Sequence, residues 1–268
     1  MSEQLCAVAI MAKASLAGTV KTRLIPPLTE EEAAQLNSSF LADVASNVAA
    51  AAARAPIRGF VAYHPLGSER FFEDLLPDGF KLLAPKEPTL GRSLVHAARD
   101  LFAEGYGSVC LLNADSPTLP TELLVKTVRL LRQPGDRVVL GPAADGGYYL
   151  IGLKRFHQRL FQAIDWSTER VYRQTIARAG EIGLPAVALP EWYDVDDDAS
   201  LAELTHELLV PAGSTGCRRG GYPAPNTTAF LKQLAATNGG VQHLLAAPLV
   251  ERGEPSAASI AQPDRLSR

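Results

Sequence analysis

The sequence predicts an α/β fold, a three-layer αβα sandwich around a mostly parallel sheet. Three observations lead there. Short apolar runs alternate with amphipathic helical segments from residue 5 to residue 209, the pattern of strands joined by helical crossovers. Two of those runs, residues 5–11 and 108–113, are apolar almost throughout, as strands covered on both faces must be. A chain of 268 residues is long enough for one large domain of this type, with or without an appendage.

Each element has its own local reason. Residues 5–11 form the first strand and run into a loop of small and charged residues. Thr29-Glu30-Glu31-Glu32 spells a capping box. Leu36, Phe40, Val44 and Val48 then recur every fourth residue on one helical face, and the alanines at 49–53 extend that helix. Residues 58–63 and 80–83 read as the second and third strands. A helix between Gly91 and Glu104 carries Leu94, Ala97, Ala98 and Leu101 inward. After the strand at 108–113, a helix over 118–132 has Pro120 in its first turn, where the missing N–H costs nothing. Strands at 138–140 and 148–153, a helix over 168–182, a strand at 186–189 and a helix over 199–209 complete the series. No internal repeat is evident.

Behind Leu209 the character changes. Residues 211–225 are rich in Gly, Pro and Ser and contain Cys217-Arg218-Arg219-Gly220-Gly221; a short helix is expected at 227–236. From about Glu251 the composition is that of a frayed or disordered tail. The expected division is a catalytic domain over residues 1–210 and an accessory, partly disordered segment over 211–268.

Charge and composition exclude some functions. Lys+Arg 26 against Asp+Glu 29 gives a net charge of -3, which supplies no general attraction for nucleic acid or an anionic membrane. No run approaches the roughly 18 apolar residues that span a bilayer, and the start of the chain lacks the basic flank of a signal peptide. A cytoplasmic setting is the default expectation. Cys6, Cys110 and Cys217 have no metal-like spacing, and the first two lie in apolar strands as small core residues.

The chemistry-bearing motifs fall at the ends of predicted strands, where open α/β sheets bind ligands. The first is Ala12-Lys13-Ala14-Ser15-Leu16-Ala17-Gly18-Thr19-Val20-Lys21-Thr22-Arg23-Leu24. Gly18 permits close backbone approach, loop N–H groups can face an anion, and Lys13, Lys21 and Arg23 can offset phosphate charge. A solvated surface loop would look the same in isolation. The second is Asn113-Ala114-Asp115-Ser116-Pro117, whose Asp115 can hold a magnesium ion or simply cap a turn. The third, Gly141-Pro142-Ala143-Ala144-Asp145-Gly146-Gly147-Tyr148-Tyr149, reads as a hairpin turn or as the floor of a sugar-sized pocket. In the fourth, Trp192-Tyr193-Asp194-Val195-Asp196-Asp197-Asp198, four carboxylates crowd into five residues. Asp197 and Asp198 suit the start of the following helix, and alternation puts Asp194 and Asp196 on one face as metal candidates. Trp166-Ser167-Thr168-Glu169 reads mainly as a helix entry. Thr89-Leu90-Gly91-Arg92-Ser93 can contact a base or ribose or merely open a helix. The five histidines show no ligand spacing.

The order of these motifs resembles a bacterial family of glycosyltransferase-A-like transferases associated with radical SAM and selenodomain proteins, within the nucleotide-diphospho-sugar transferase superfamily. The resemblance covers residues 5 to about 209. It is more distant to the phospholactate and molybdenum cofactor guanylyltransferases. It implies a Rossmann-like sandwich of glycosyltransferase-A type. It also implies that Ala12, Lys13, Gly18, Thr19, Lys21, Thr22, Arg23 and Gly91 bind a nucleotide, with Lys13, Arg23 and Asp115 catalytic. Asp115 with Asp196 or Asp194 would hold Mg²⁺ or Mn²⁺, and Asp145, Gly146, Gly147, Tyr148, Trp166 and Ser167 would line the acceptor or sugar pocket. Two positions depart from the family pattern: Asn113 stands in place of a usual Gly, and Asp197 in place of a frequent Thr.

The partners so implied are a nucleoside triphosphate or nucleotide-sugar and a small-molecule acceptor. Glycosyltransferases of this fold usually carry Asp-x-Asp after the fourth strand and do not need a cationic first loop. Here a single Asp115 and a cationic loop favour nucleotidyl transfer over glycosyl transfer. A non-catalytic nucleotide- or sugar-binding regulator is the reading from another class.

Overall fold

The computed structural model describes residues 4–84, 89–210 and 220–237. Among these residues seven strands form one sheet: β1 (Cys6–Lys13), β2 (Ile57–His64), β3 (Lys81–Leu83), β4 (Ser108–Asn113), β5 (Val138–Pro142), β6 (Tyr148–Leu153) and β7 (Ala186–Ala188). Their order is β3-β2-β1-β4-β6-β5-β7. β1 runs parallel to β2 and β4, and β5 to β7, while β6 is antiparallel to β4 and β5. The mostly parallel sandwich expected from the sequence is therefore present. Parallel neighbours on both sides of β1 direct its C-terminal loop and that of β4 to the same edge.

Among the described residues, seven α-helices cover the sheet: α1 (Glu30–Ala52), α2 (Glu69–Glu73), α3 (Leu90–Ala103), α4 (Thr121–Arg132), α5 (Val171–Glu181), α6 (Asp198–Leu209) and α7 (Pro225–Thr237). Alternation along the inner strands feeds two cores. Val8, Ile10 and Leu112 pack with Leu36, Phe40 and Val44 of α1 and with α4, α6 and α7. Ala7, Ala9, Val109 and Leu111 pack on the other face with Leu94, Ala98 and Leu101 of α3. The capping box at Thr29 forms in full, with Thr29 accepting from the Glu32 N–H and Glu32 accepting from the Thr29 N–H.

Some boundaries move, for tertiary reasons. α4 begins at Thr121 with Pro120 at its N-cap, not inside its first turn. Thr118 is held outside the helix: its hydroxyl donates to Tyr193 Oη at 3.1 Å and its carbonyl accepts from the Tyr222 N–H at 2.9 Å. α5 begins at Val171, three residues after the expected start, because the Thr168 hydroxyl is spent on the Asp165 carbonyl. α6 starts at Asp198, and Asp197 alone is its cap, bonded to the Ser200 N–H at 2.8 Å. α2, a single turn that buries Phe72, has no counterpart in the sequence reading.

α7, expected within the accessory segment, packs through Leu231 and Leu234 into the same core as α1. Asp43 of α1 is fully buried. Its carboxylate accepts from Asn226 N at 3.0 Å, Asn226 Nδ2 at 2.8 Å and Thr227 N at 2.7 Å, closing the N-terminus of α7. Residues 211–219 and the tail after Glu251, for which the sequence predicts a Gly/Pro/Ser-rich stretch and a frayed end, lie outside the described residues. Among the described residues, no helix is long and apolar enough to cross a membrane.

Candidate active site

The carboxylates come first. Asp115 leaves the end of β4 and its carbonyl accepts from the Val195 N–H at 3.0 Å. That bond docks the 194–196 segment beside β4, so two sequence-distant acidic turns meet at one sheet edge. Asp196 then lies close enough to Asp115 for one cation to serve both. The cation is Lys21. Its Nζ donates to Asp115 Oδ1, to Asp196 Oδ1 at 2.9 Å and to the Val195 carbonyl at 2.8 Å. Its side chain is only 5% exposed, against 35% and 45% for Asp115 and Asp196. Burial would pull the lysine pKa down, but the charges of Asp115 and Asp196 outweigh it and the net shift is upward.

The sequence reading gave Lys21 to phosphate together with Lys13 and Arg23. The structure separates them. Lys13 and Arg23 are exposed, with no ion pair among the described residues, whereas Lys21 turns inward from a left-handed backbone (φ 50°). Gly18 (φ 73°) and exposed Thr22 shape the same loop, and Thr19 ties it by a hydroxyl bond to the Leu16 carbonyl at 2.8 Å. Asn37 of α1 anchors its base, donating to Ser15 Oγ at 2.9 Å. Ala12 is a buried core residue.

Beside the carboxylates opens a cavity of about 200 Å³. It collects Asp115, Asp145, Asp194, Gly147, Tyr148, Trp166 and Ser167, all foreseen, over an apolar floor of Met11, Leu90, Leu94 and Leu111. The turn at Asp145 is built for this: Asp145 Oδ1 accepts from the Gly147 N–H at 2.8 Å. Gly146 (φ 89°) lets the backbone of Glu169 pass where any Cβ would overlap it. Burial, together with the charges of Asp145 and Asp196, raises the Asp194 carboxyl to about 7. Among the metal candidates, Asp194 thus faces the cavity and Asp196 faces Lys21.

Gly91 takes no place in this cavity. It is buried beneath Trp166, whose indole a Cβ would overlap, and it lines a larger cavity of about 340 Å³ with Arg92, His96 and Arg99. That larger space holds none of the carboxylates, so size does not identify the site; the convergence of charge does. Two polar atoms of the smaller cavity, Asn113 Oδ1 and Tyr148 Oη, are buried with no hydrogen-bond partner. The sequence reading noted Asn113 only as a departure from a family pattern. Asn113 ends β4 two residues before Asp115 and lines the same cavity, and a polar residue closing an apolar strand next to that acidic turn is a signal that could have marked it.

The comparisons agree with this architecture. Residues 47–168 match the sequence profile of a family described as "Uncharacterized protein conserved in bacteria" (DUF2064). A comparison with curated proteins gave no match. Among solved structures, a protein of Desulfovibrio desulfuricans G20, provisionally named a nucleotide-diphospho-sugar transferase, is 28% identical with a TM-score of 0.74, covering 89% of this chain and 97% of that one. The fold is that of the nucleotide-diphospho-sugar transferases. More remote are a cytidylyltransferase of Leptospira borgpetersenii (11% identity, TM-score 0.47, 90% of this chain and 98% of that one) and a CMP-2-keto-3-deoxy-manno-octonic acid synthetase complexed with CTP (13%, 0.48, 75% and 96%). In this fold, the turns after β1 and β4, the 145–148 turn and the 194–196 segment converge on one edge.

Proposed function

We propose that the chain is a divalent-metal-dependent, nucleotide-using transferase that moves a nucleotidyl group from a nucleoside triphosphate to a small phosphorylated or hydroxylated acceptor. One observation carries the reading: Asp115 and Asp196, from separate strand ends, already share a single cation beside a ligand-sized cavity. Hard carboxylate oxygens suit Mg²⁺ or Mn²⁺, and Asp115 and Asp196 would hold the ion. Among the described residues no cluster of three or more His, Cys, Asp or Glu could hold it alone, so phosphate oxygens would complete the set. When bound, the ion would stabilise negative charge gathering on the transferring phosphate.

The protein's own groups divide the remaining work. Lys13 and Arg23, exposed on the first loop, would take the β and γ phosphates. The acceptor would rest against Tyr148, Trp166 and Ser167. Its oxygen attacks the α-phosphorus, a hydroxyl acceptor giving up its proton to solvent, the bond to the bridging oxygen breaks, and pyrophosphate leaves with its charge held by Lys13 and Arg23. Positioning and charge stabilisation carry such a step. Glycosyl transfer from a nucleotide-sugar is the second reading, favoured by the aromatic wall of Tyr148 and Trp166, set edge to face at 6.5 Å.

A thermal-shift screen with Mg²⁺, four nucleoside triphosphates and a panel of nucleotide-sugars decides between them. A ligand at a hundredfold excess over Kd adds about 2.7 kcal/mol of stability. Stabilisation by a triphosphate, lost in Asp115→Ala, supports nucleotidyl transfer and names the base. A nucleotide-sugar as the best ligand moves the assignment to glycosyl transfer. Binding without turnover of any of them leaves a regulator.

A further inference from the structure

We infer that Lys21 is a resident counter-ion of Asp115 and Asp196 that must leave before a divalent ion binds there, so that metal is admitted together with the polyphosphate that receives the displaced lysine. The inference rests on the transferase reading above and adds an order of events to it. A lysine ammonium has three N–H donors and no acceptor, and all three are committed to Asp115 Oδ1, Asp196 Oδ1 and the Val195 carbonyl. None remains for a phosphate. Lys21 holds one oxygen of each carboxylate, so a divalent ion bound between Asp115 and Asp196 would lie within a few ångströms of the ammonium and be repelled by its charge.

The loop is built for the exchange. Lys21 sits in the left-handed region at φ 50°, which non-glycine residues seldom occupy and which clusters at switch positions. Its neighbours Thr22 and Arg23 are exposed, and Gly18 lies three residues upstream. A swing of Lys21 outward brings it toward Arg23 and Lys13, the cations already facing solvent. Until then its charge keeps two carboxylates from repelling each other and keeps metal out of an enzyme without substrate.

The test reads protein-bound Mn²⁺ by equilibrium dialysis, as the excess metal on the protein side of the membrane, so that Mn²⁺ held by triphosphate alone does not count and no turnover is involved. Wild type should bind Mn²⁺ weakly alone and at least tenfold more tightly with inorganic triphosphate. Lys21→Met should bind Mn²⁺ alone at least tenfold more tightly than wild type, and adding Asp115→Asn should cancel that gain. Equal Mn²⁺ affinity of Lys21→Met and wild type overturns the inference, as does tight Mn²⁺ binding by wild type without triphosphate. Lys21→Gln serves where the methionine variant does not fold, and the wild-type pair of measurements decides without any variant. Triphosphate-gated Mn²⁺ binding in a protein that no nucleoside triphosphate or nucleotide-sugar stabilises would sink the transferase reading and leave the role of Lys21 standing.

Discussion

The loop after β1 and the turns after β4 and β7 reach the same edge of the sheet, yet they hold their charges in opposite ways. The acidic turns are fixed: Val195 is buried and hydrogen-bonded to Asp115, Asp197 caps α6, and Asp145 closes its own turn. The basic loop is anchored by Asn37, Thr19, Lys21 and buried Val20, yet it leaves Lys13 and Arg23 in water. A site that must hold an ion benefits from preset carboxylates, whereas one that must close on a flexible polyphosphate can keep its cations free until the ligand arrives. Lys21 belongs to the second region by sequence and to the first by position.

The largest effect should come from the fixed side. Asp115→Ala is expected to cost on the order of a thousandfold or more in transfer rate, at the upper end for loss of a transition-state charge contact, with the far-ultraviolet circular dichroism unchanged. Pyrophosphate release is the assay, and a rate within tenfold of wild type would remove Asp115 from the chemistry. Arg23→Ala tests the free side. It should lose about a hundredfold in rate while the melting temperature stays put, because the exposed guanidinium has no ion pair to forfeit among the described residues. A matching loss of stability would mean that the loop is as built-in as the acidic turns.

Asp43→Ala reverses the signature. Three hydrogen bonds to one buried carboxylate hold α7 against α1, and breaking them should cost about 2–4 kcal/mol. In a chain of this size that lowers the melting temperature by roughly 5–15 °C, with the rate per folded molecule unaltered. An unchanged melting curve would make α7 an appendage, in line with the division expected near residue 210.

Legibility followed the range of the interactions that decide each feature. Residues 108–113 and the capping box at Thr29 are local patterns, and both were readable. The starts of α4 and α5 were misplaced because Thr118 and Thr168 bond outside their helices, Thr118 to Tyr193, 75 residues away. The acidic motifs could be listed from the sequence because strand ends collect at one edge in this topology. Their pairing with Lys21 could not, since it spans 175 residues to Asp196 and depends on a left-handed backbone at a lysine. At Gly91 the sequence suggested a ligand contact, and the structure adds a packing requirement beneath Trp166 that the sequence did not show.

The smallest effect should appear at Asn113. Its Oδ1 is buried without a partner in the cavity wall, and an unpaired buried acceptor costs about 1–3 kcal/mol, a cost that a ligand N–H or O–H would remove on binding. Asn113→Ala should therefore raise the KM for the nucleotide or acceptor by roughly five- to tenfold, about 1 kcal/mol, with kcat nearly constant. At the same time the variant should be as stable as wild type or slightly more so, because the orphan is gone. That pairing of weaker binding with undiminished stability is the mark of a polar group kept for a ligand. A stability loss with KM unchanged would instead make Asn113 part of the scaffold, and the contrast between fixed and free groups would then end one residue pair short of the cavity floor.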